Sequence, residues 1–244
     1  MTPLLLGLTA ALAEVFGGLI IVRRRWERRY LQYFLALGAG FLLGAVFLEM
    51  IPESVRLAGV GSLYYVLAGY LLVHLAEHTL SAHFHFGEEV HHEHMAGRRR
   101  SYTVLAGLTI HAFFDGIAIA GGFLISDRLG VLLFVAIFLH KIPEGFTVAS
   151  VMLAGGHGPR AALTASSLLG VATMLGVSVM LLFSAQLGAG LPLAAGVCIY
   201  VAASDLIPEI NQQPGIRLAL LVFVGVGLLL ALRYWLDPSG AASR

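Results

Sequence analysis

Two short phrases, HAFFDG at His111 to Gly116 and HKIPEG at His140 to Gly145, each set an imidazole four residues before a carboxylate inside an apolar run. On a helix that spacing puts both groups on one face, one turn apart. The two faces together offer His111, Asp115, His140 and Glu144 as nitrogen and oxygen ligands for one divalent cation. An ionisable side chain within a membrane span costs roughly 2.5–3.5 kcal/mol even on the lenient insertion scale, so Asp115, Lys141 and Glu144 together carry a penalty of about 10 kcal/mol. A bound cation is the natural compensation. Imidazole and carboxylate suit Zn²⁺, Fe²⁺, Mn²⁺ and related ions. Cys198 is the sole cysteine, which leaves no intramolecular disulfide or thiolate site and argues against Cu(I).

The elements that must position these groups are membrane helices. Of 244 residues, 58% are hydrophobic and 12% charged, with a mean hydropathy of +0.86. This composition describes an all-α, polytopic membrane protein without a soluble catalytic domain. The net charge of +1 gives no footing for nucleic acid. The first apolar run, 2–22, is followed by Arg23, Arg24 and Arg25 where a signal peptide would carry positive charge before the run, so it reads as a retained helix.

Spans of roughly 20 residues can be read at 2–22, 31–55, 61–82, 102–125, 130–154, 161–187, 190–210 and 216–236, eight helices in one transmembrane domain over 1–244. Arginines cluster in the first, third, fifth and seventh connections, at Arg23 to Arg29, Arg98 to Arg100, Arg160 and Arg217. The positive-inside rule therefore places both termini outside a plasma or bacterial inner membrane. His111 lies eleven residues beyond Arg100 and His140 twelve beyond Arg128. At 1.5 Å per residue both come to about 16–18 Å deep, the middle of the bilayer, from opposite sides.

The chain also repeats itself. LEMIPE at Leu48 to Glu53 is echoed by SDLIPE at Ser204 to Glu209, and the helix-four phrase by the helix-five phrase. Under the topology above each pair runs antiparallel, so helices one to four are expected to mirror helices eight to five, the inverted-repeat plan of secondary transporters. Pro52, Pro143 and Pro208 lack an N–H to donate, which frees the carbonyls of Leu48, Leu139 and Ser204 to face a cation or water.

Other ligand types flank the motifs. Glu49 and Glu53 lie toward the outer surface as a candidate entrance; His74, His78, Asp205 and Glu209 lie toward the inner one as a candidate exit. The stretch 82–101 is read as a cytoplasmic loop between helices three and four, with histidines at 83, 85, 91, 92 and 94 suited to loose metal binding. Glu14, in helix one, has no assigned part, and an ion pair with Lys141 is one option for it.

These motifs resemble the ZIP (Zrt-, Irt-like) family of divalent-metal transporters, whose fourth and fifth helices carry His-x-x-x-acid and His-x-x-Pro-Glu-Gly signatures. The resemblance spans essentially the whole chain and implies a metal centre of His111, Asp115, His140 and Glu144 at mid-membrane. Where many members have Asn after the first histidine this chain has Ala112, and where many have Asn or Asp after the second it has Lys141. Helix six offers Ser166 and Ser167 but no carboxylate. In the family those positions can hold a second metal, so Lys141 is expected to replace it, paired with Asp115 or Glu144, or turned away to Glu14.

The expected function is transport of Zn²⁺ or a similar ion, Fe²⁺, Mn²⁺ and Cd²⁺ among them, toward the cytoplasm by alternating access. The metal is substrate and no cofactor is expected. An intramembrane zinc-dependent hydrolase is the alternative, which needs an open coordination position and a base such as Glu49 or Glu144; a passive channel or metal sensor comes third. The expected partners are the metal ion and the lipid bilayer, with a homodimer as an open assembly.

Overall fold

An apolar run in lipid must close its backbone hydrogen bonds within itself, and the helix is the single-segment solution. The computed structural model describes residues 1–23, 28–80, 98–212 and 216–236, with backbone alone at 28–31, 77–80 and 98–100. Eight long helices stand among the described residues. They are α1 (Thr2–Arg23), α2 (Arg28–Ala45, a π-helical turn Val46–Met50, then Ile51–Ala58), α3 (Ser62–Leu80) and α4 (Arg98–Ile125). The second four are α5 (Asp127–Ala154), α6 (Pro159–Leu182), α7 (Leu187–Tyr200, a π-helical turn Val201–Leu206, then Ile207–Asn211) and α8 (Ile216–Leu236). Seven are long and apolar enough to cross a membrane, and α3 adds the shorter apolar stretch Ser62–Ala76. The chain is thus a multi-pass membrane protein.

Local signals set the ends of the site-bearing helices. Ser126, in extended conformation, accepts a hydrogen bond from the Leu129 N–H at 3.2 Å and caps α5, with Asp127 in its first turn. Gly156, at φ +80°, makes the turn toward α6, which starts on Pro159. Helix α4 begins at Arg98, inside the stretch expected to be loop; the rest of that stretch, with its five histidines, lies outside the described residues.

The prolines divide into two kinds. Pro52 and Pro208 each follow a π-helical turn, which absorbs the missing hydrogen bond, whereas Pro143 sits inside the continuous helix α5. Glu49 and Asp205 occupy the two π-turns, each 5% exposed. The sequence echo between LEMIPE and SDLIPE is therefore also a structural one.

Packing corrects the expected pairing of the repeat. Helix α1 packs on α5 as α6 packs on α4, α2 on α8 as α7 on α3, and α2 on α5 as α7 on α4. The inverted units are therefore α1–α2–α3 and α6–α7–α8, with α4 and α5 exchanged between them. The order expected from sequence, one to four against eight to five, would require α8 to pack on α4 as α1 does on α5.

Glycines make the correspondence residue by residue. A Cβ on Gly40 would strike the carbonyl oxygen of Val222, one on Gly196 that of Val66, one on Gly69 that of Leu193 and one on Gly225 that of Leu37. Each of these partners is displaced along the chain by the same offset that relates Glu49 to Asp205. Likewise Gly17 rests on the Ile142 carbonyl and Gly176 on that of Phe113, while Gly145 rests on the Glu14 carbonyl and Gly116 on that of Thr173. Small residues at these crossings let backbones approach where lipid offers no hydrophobic force between helices. They also identify Glu14 with Thr173, and Lys141 with Ala112, as counterparts in the two halves.

Candidate metal centre

The two motifs meet where α4 and α5 cross. Asp115 is 0% exposed, Glu144 1%, and both histidines are buried. His111 Nε2 lies 3.0 Å from Asp115 Oδ2 and 3.9 Å from Glu144 Oε2, and His140 Nε2 lies 3.3 Å from the same Asp115 oxygen. The imidazole centroids are 5.5 Å apart. One ligand atom from each of the four residues falls within 4.8 Å of all the others. A tetrahedral ion with bonds of roughly 2.1 Å holds its ligands about 3.4 Å apart, so coordination asks for a contraction of up to about 1.4 Å at the widest pairs.

The histidine tautomer points the same way. His140 Nδ1 is 3.0 Å from the Ala136 carbonyl, which can only accept, so Nδ1 carries a proton and a neutral ring presents a lone pair at Nε2. Nε2 faces Asp115 Oδ2 at 3.3 Å, a contact that either a proton or a cation on Nε2 makes favourable. His111 Nδ1 and Glu144 Oε1 have no hydrogen-bond partner among the described residues, and His111 Nε2 has the Asp115 carboxylate at 3.0 Å. Buried polar atoms are ordinarily satisfied, so these two atoms are exceptions at the cluster.

Lys141 Nζ reaches three carboxylates at once: Glu14 Oε1 at 2.6 Å, Asp115 Oδ2 at 2.7 Å and Glu144 Oε2 at 2.7 Å. The two orientations expected for it are thus realised together. Glu14 and Lys141 are 0% exposed, and Thr173 Oγ1 donates to the second Glu14 oxygen at 3.3 Å. The pocket thus gathers three carboxyl groups, two imidazoles and one ammonium.

Sequence reasoning missed two neighbours. Cys198, set aside as a lone cysteine, comes from α7 to 3.9 Å from Asp115 Oδ1, so a buried thiol does stand at the edge of the cluster. Thr173 carried no signal beyond its place in the repeat. Ser166 bonds the Gly145 carbonyl at 3.0 Å and Ser167 the Leu163 carbonyl at 2.9 Å; both hydroxyls are used in helix packing.

Among the described residues the ligand group contains none of the flanking ones. Glu49 is held by Arg128 and Arg233, each at 3.0 Å, tying α2 to α5 and α8, and Glu53 pairs with Arg56 one turn on. His74 stacks edgewise on Tyr200 at 6.0 Å, and Asp205 and Glu209 are buried in α7. The side chain of His78 lies outside the described residues.

Comparison with known proteins agrees with this chemistry. The family model described as ZIP Zinc transporter matches residues 87–233. Zinc transporter ZIP13 of Pongo abelii is 26% identical over 232 residues, covering 85% of this chain and 68% of that protein. Zinc transporter YKE4 of Saccharomyces cerevisiae is 25% identical over 213 residues, 74% of this chain and 61% of its own length. An uncharacterized protein of Methanocaldococcus jannaschii is 31% identical over 124 residues, 50% of this chain and 51% of that protein. The chain therefore spans between half and about two thirds of these relatives. With both signatures converging on one buried ligand cluster inside an inverted repeat, and the matched region running from ahead of α4 into α8, the chain belongs to the ZIP zinc transporter family.

Proposed function

We propose that the chain carries Zn²⁺ or a similar divalent transition-metal ion toward the cytoplasm by alternating access through His111, Asp115, His140 and Glu144. The observation that carries this reading is the buried cluster in which two imidazoles and two carboxyl groups bring one ligand atom each within 4.8 Å of all the others. Fe²⁺, Mn²⁺ and Cd²⁺ share the ligand chemistry; the relatives named zinc transporters favour Zn²⁺. The family is one of transporters and not of enzymes, which removes the hydrolase alternative. Lys141 stands in place of a second ion, so one ion is carried per chain.

The arginine distribution supports termini outside a plasma or bacterial inner membrane. Glu49 and Glu53 then serve the entrance, and His74, His78, Asp205 and Glu209 the exit. In this scheme the Glu49–Arg128 pair, which links α2 to α5, parts when the outer side opens. Purified protein in sealed vesicles should drive Zn²⁺ flux that saturates with concentration; flux rising linearly without limit points to a channel, and none at all overturns transport. Single cysteines beside Glu53 and beside Glu209, in a Cys198→Ser background, should become reactive in mutually exclusive states. Full reactivity of both together would contradict alternating access.

A further inference from the structure

Lys141 contacts the very carboxylate oxygens, Asp115 Oδ2 and Glu144 Oε2, that face the imidazoles. An ammonium and a dication cannot share those oxygens without strong repulsion at close range. When an ion is bound, the ammonium must therefore withdraw to another buried anion. Glu14 is that anion: it is fully buried, lies 2.6 Å from Nζ on the side of α1, and is steadied by Thr173.

Two observations separate this role from a merely structural one. The α1–α5 crossing is already held by backbone contacts at Gly17 and Gly145, so it needs no ion pair. The counterpart crossing of α6 on α4 is packed the same way with Thr173 and Ala112, where neither charge is present. The acid and the base occur together in one half and are both missing from the other.

We propose that Lys141 is a tethered cation competing with the transported ion for Asp115 and Glu144, and that Glu14 is the positioning residue that holds its ammonium aside while the ion is bound. The inference rests on the four-ligand reading of the site. Metal loading then exchanges one cation for another on the same two oxygens. Glu14 tunes affinity without touching the ion.

The test is Zn²⁺ titration by calorimetry of the purified full chain, at one pH, with Glu14→Gln, Lys141→Met and the double variant. Glu14→Gln should bind about tenfold or more weakly, because the ammonium stays on Asp115 and Glu144, and Lys141→Met should bind about tenfold more tightly. The double variant should regain the tight binding of Lys141→Met, which also shows that Glu14→Gln is not simply misfolded. A scaffold role predicts weaker binding in both single variants and no recovery in the double; that pattern, or wild-type affinity in Glu14→Gln, overturns the proposal. Wild-type protein that binds no ion, or His140→Ala that binds as wild type does, overturns the four-ligand reading itself and the inference with it.

Discussion

Glu144→Ala and His140→Ala should each reduce Zn²⁺ flux into sealed vesicles to that of protein-free controls. Each removes one of the four proposed ligands from a buried cluster, and the remaining three cannot complete a tetrahedral shell by themselves. Folding should survive. With Glu144 gone, Lys141 keeps Asp115 and Glu14, and one buried ionisable group is removed from the metal-free pocket, so stability holds or rises. What should vanish is stabilisation by metal, worth about 2.7 kcal/mol for an intact site at one hundred times its Kd. Thermal unfolding with and without Zn²⁺ reads this directly, and wild-type uptake by either variant would overturn the site assignment.

The second large effect concerns packing. Gly17→Ala and Gly176→Ala should each destabilise the fold by about 3 kcal/mol or more, at the upper end of overpacking penalties, because the obstacle is a backbone carbonyl that no rotamer change can clear. Gly40→Ala and Gly196→Ala should behave as a second matched pair. Gly107→Ala and Gly227→Ala are the controls: nothing lies within 4 Å of a Cβ at either position, so helix propensity should leave them neutral or up to about 1 kcal/mol more stable. Equal losses at all six positions would show that the crossings described above do not govern stability.

The parts of this molecule legible in sequence are those whose signal is local. The i,i+4 pairs His111–Asp115 and His140–Glu144 declare a ligand face, and hydropathy declares the spans, because both depend on a few adjacent turns. Cys198 had no legible part, and Glu14 only an optional one beside Lys141, for the opposite reason. Each acquires its neighbours, Asp115 and Lys141, only when distant helices cross. The error in the repeat has the same origin. The motifs that were read pair α2 with α7 and α4 with α5, and both orders of the repeat share those pairs. Only α1, α3, α6 and α8 distinguish them, and their signal is glycine spacing: Gly17 with Gly176 and Gly69 with Gly225 keep the offsets that the packing reveals.

Under the alternating access proposed above, inversion of this kind also bears on how time is divided between the two faces of the membrane. A chain whose halves were interchangeable would have end states of equal free energy, since swapping the halves turns one into the other. A preference for one resting orientation must therefore be written in the positions where the halves differ. Glu14 against Thr173 and Lys141 against Ala112 are the most highly charged of the differences at the site, and they sit at its centre. The residues that adjust the hold on the ion are, on this account, also where the carrier's idle bias is set.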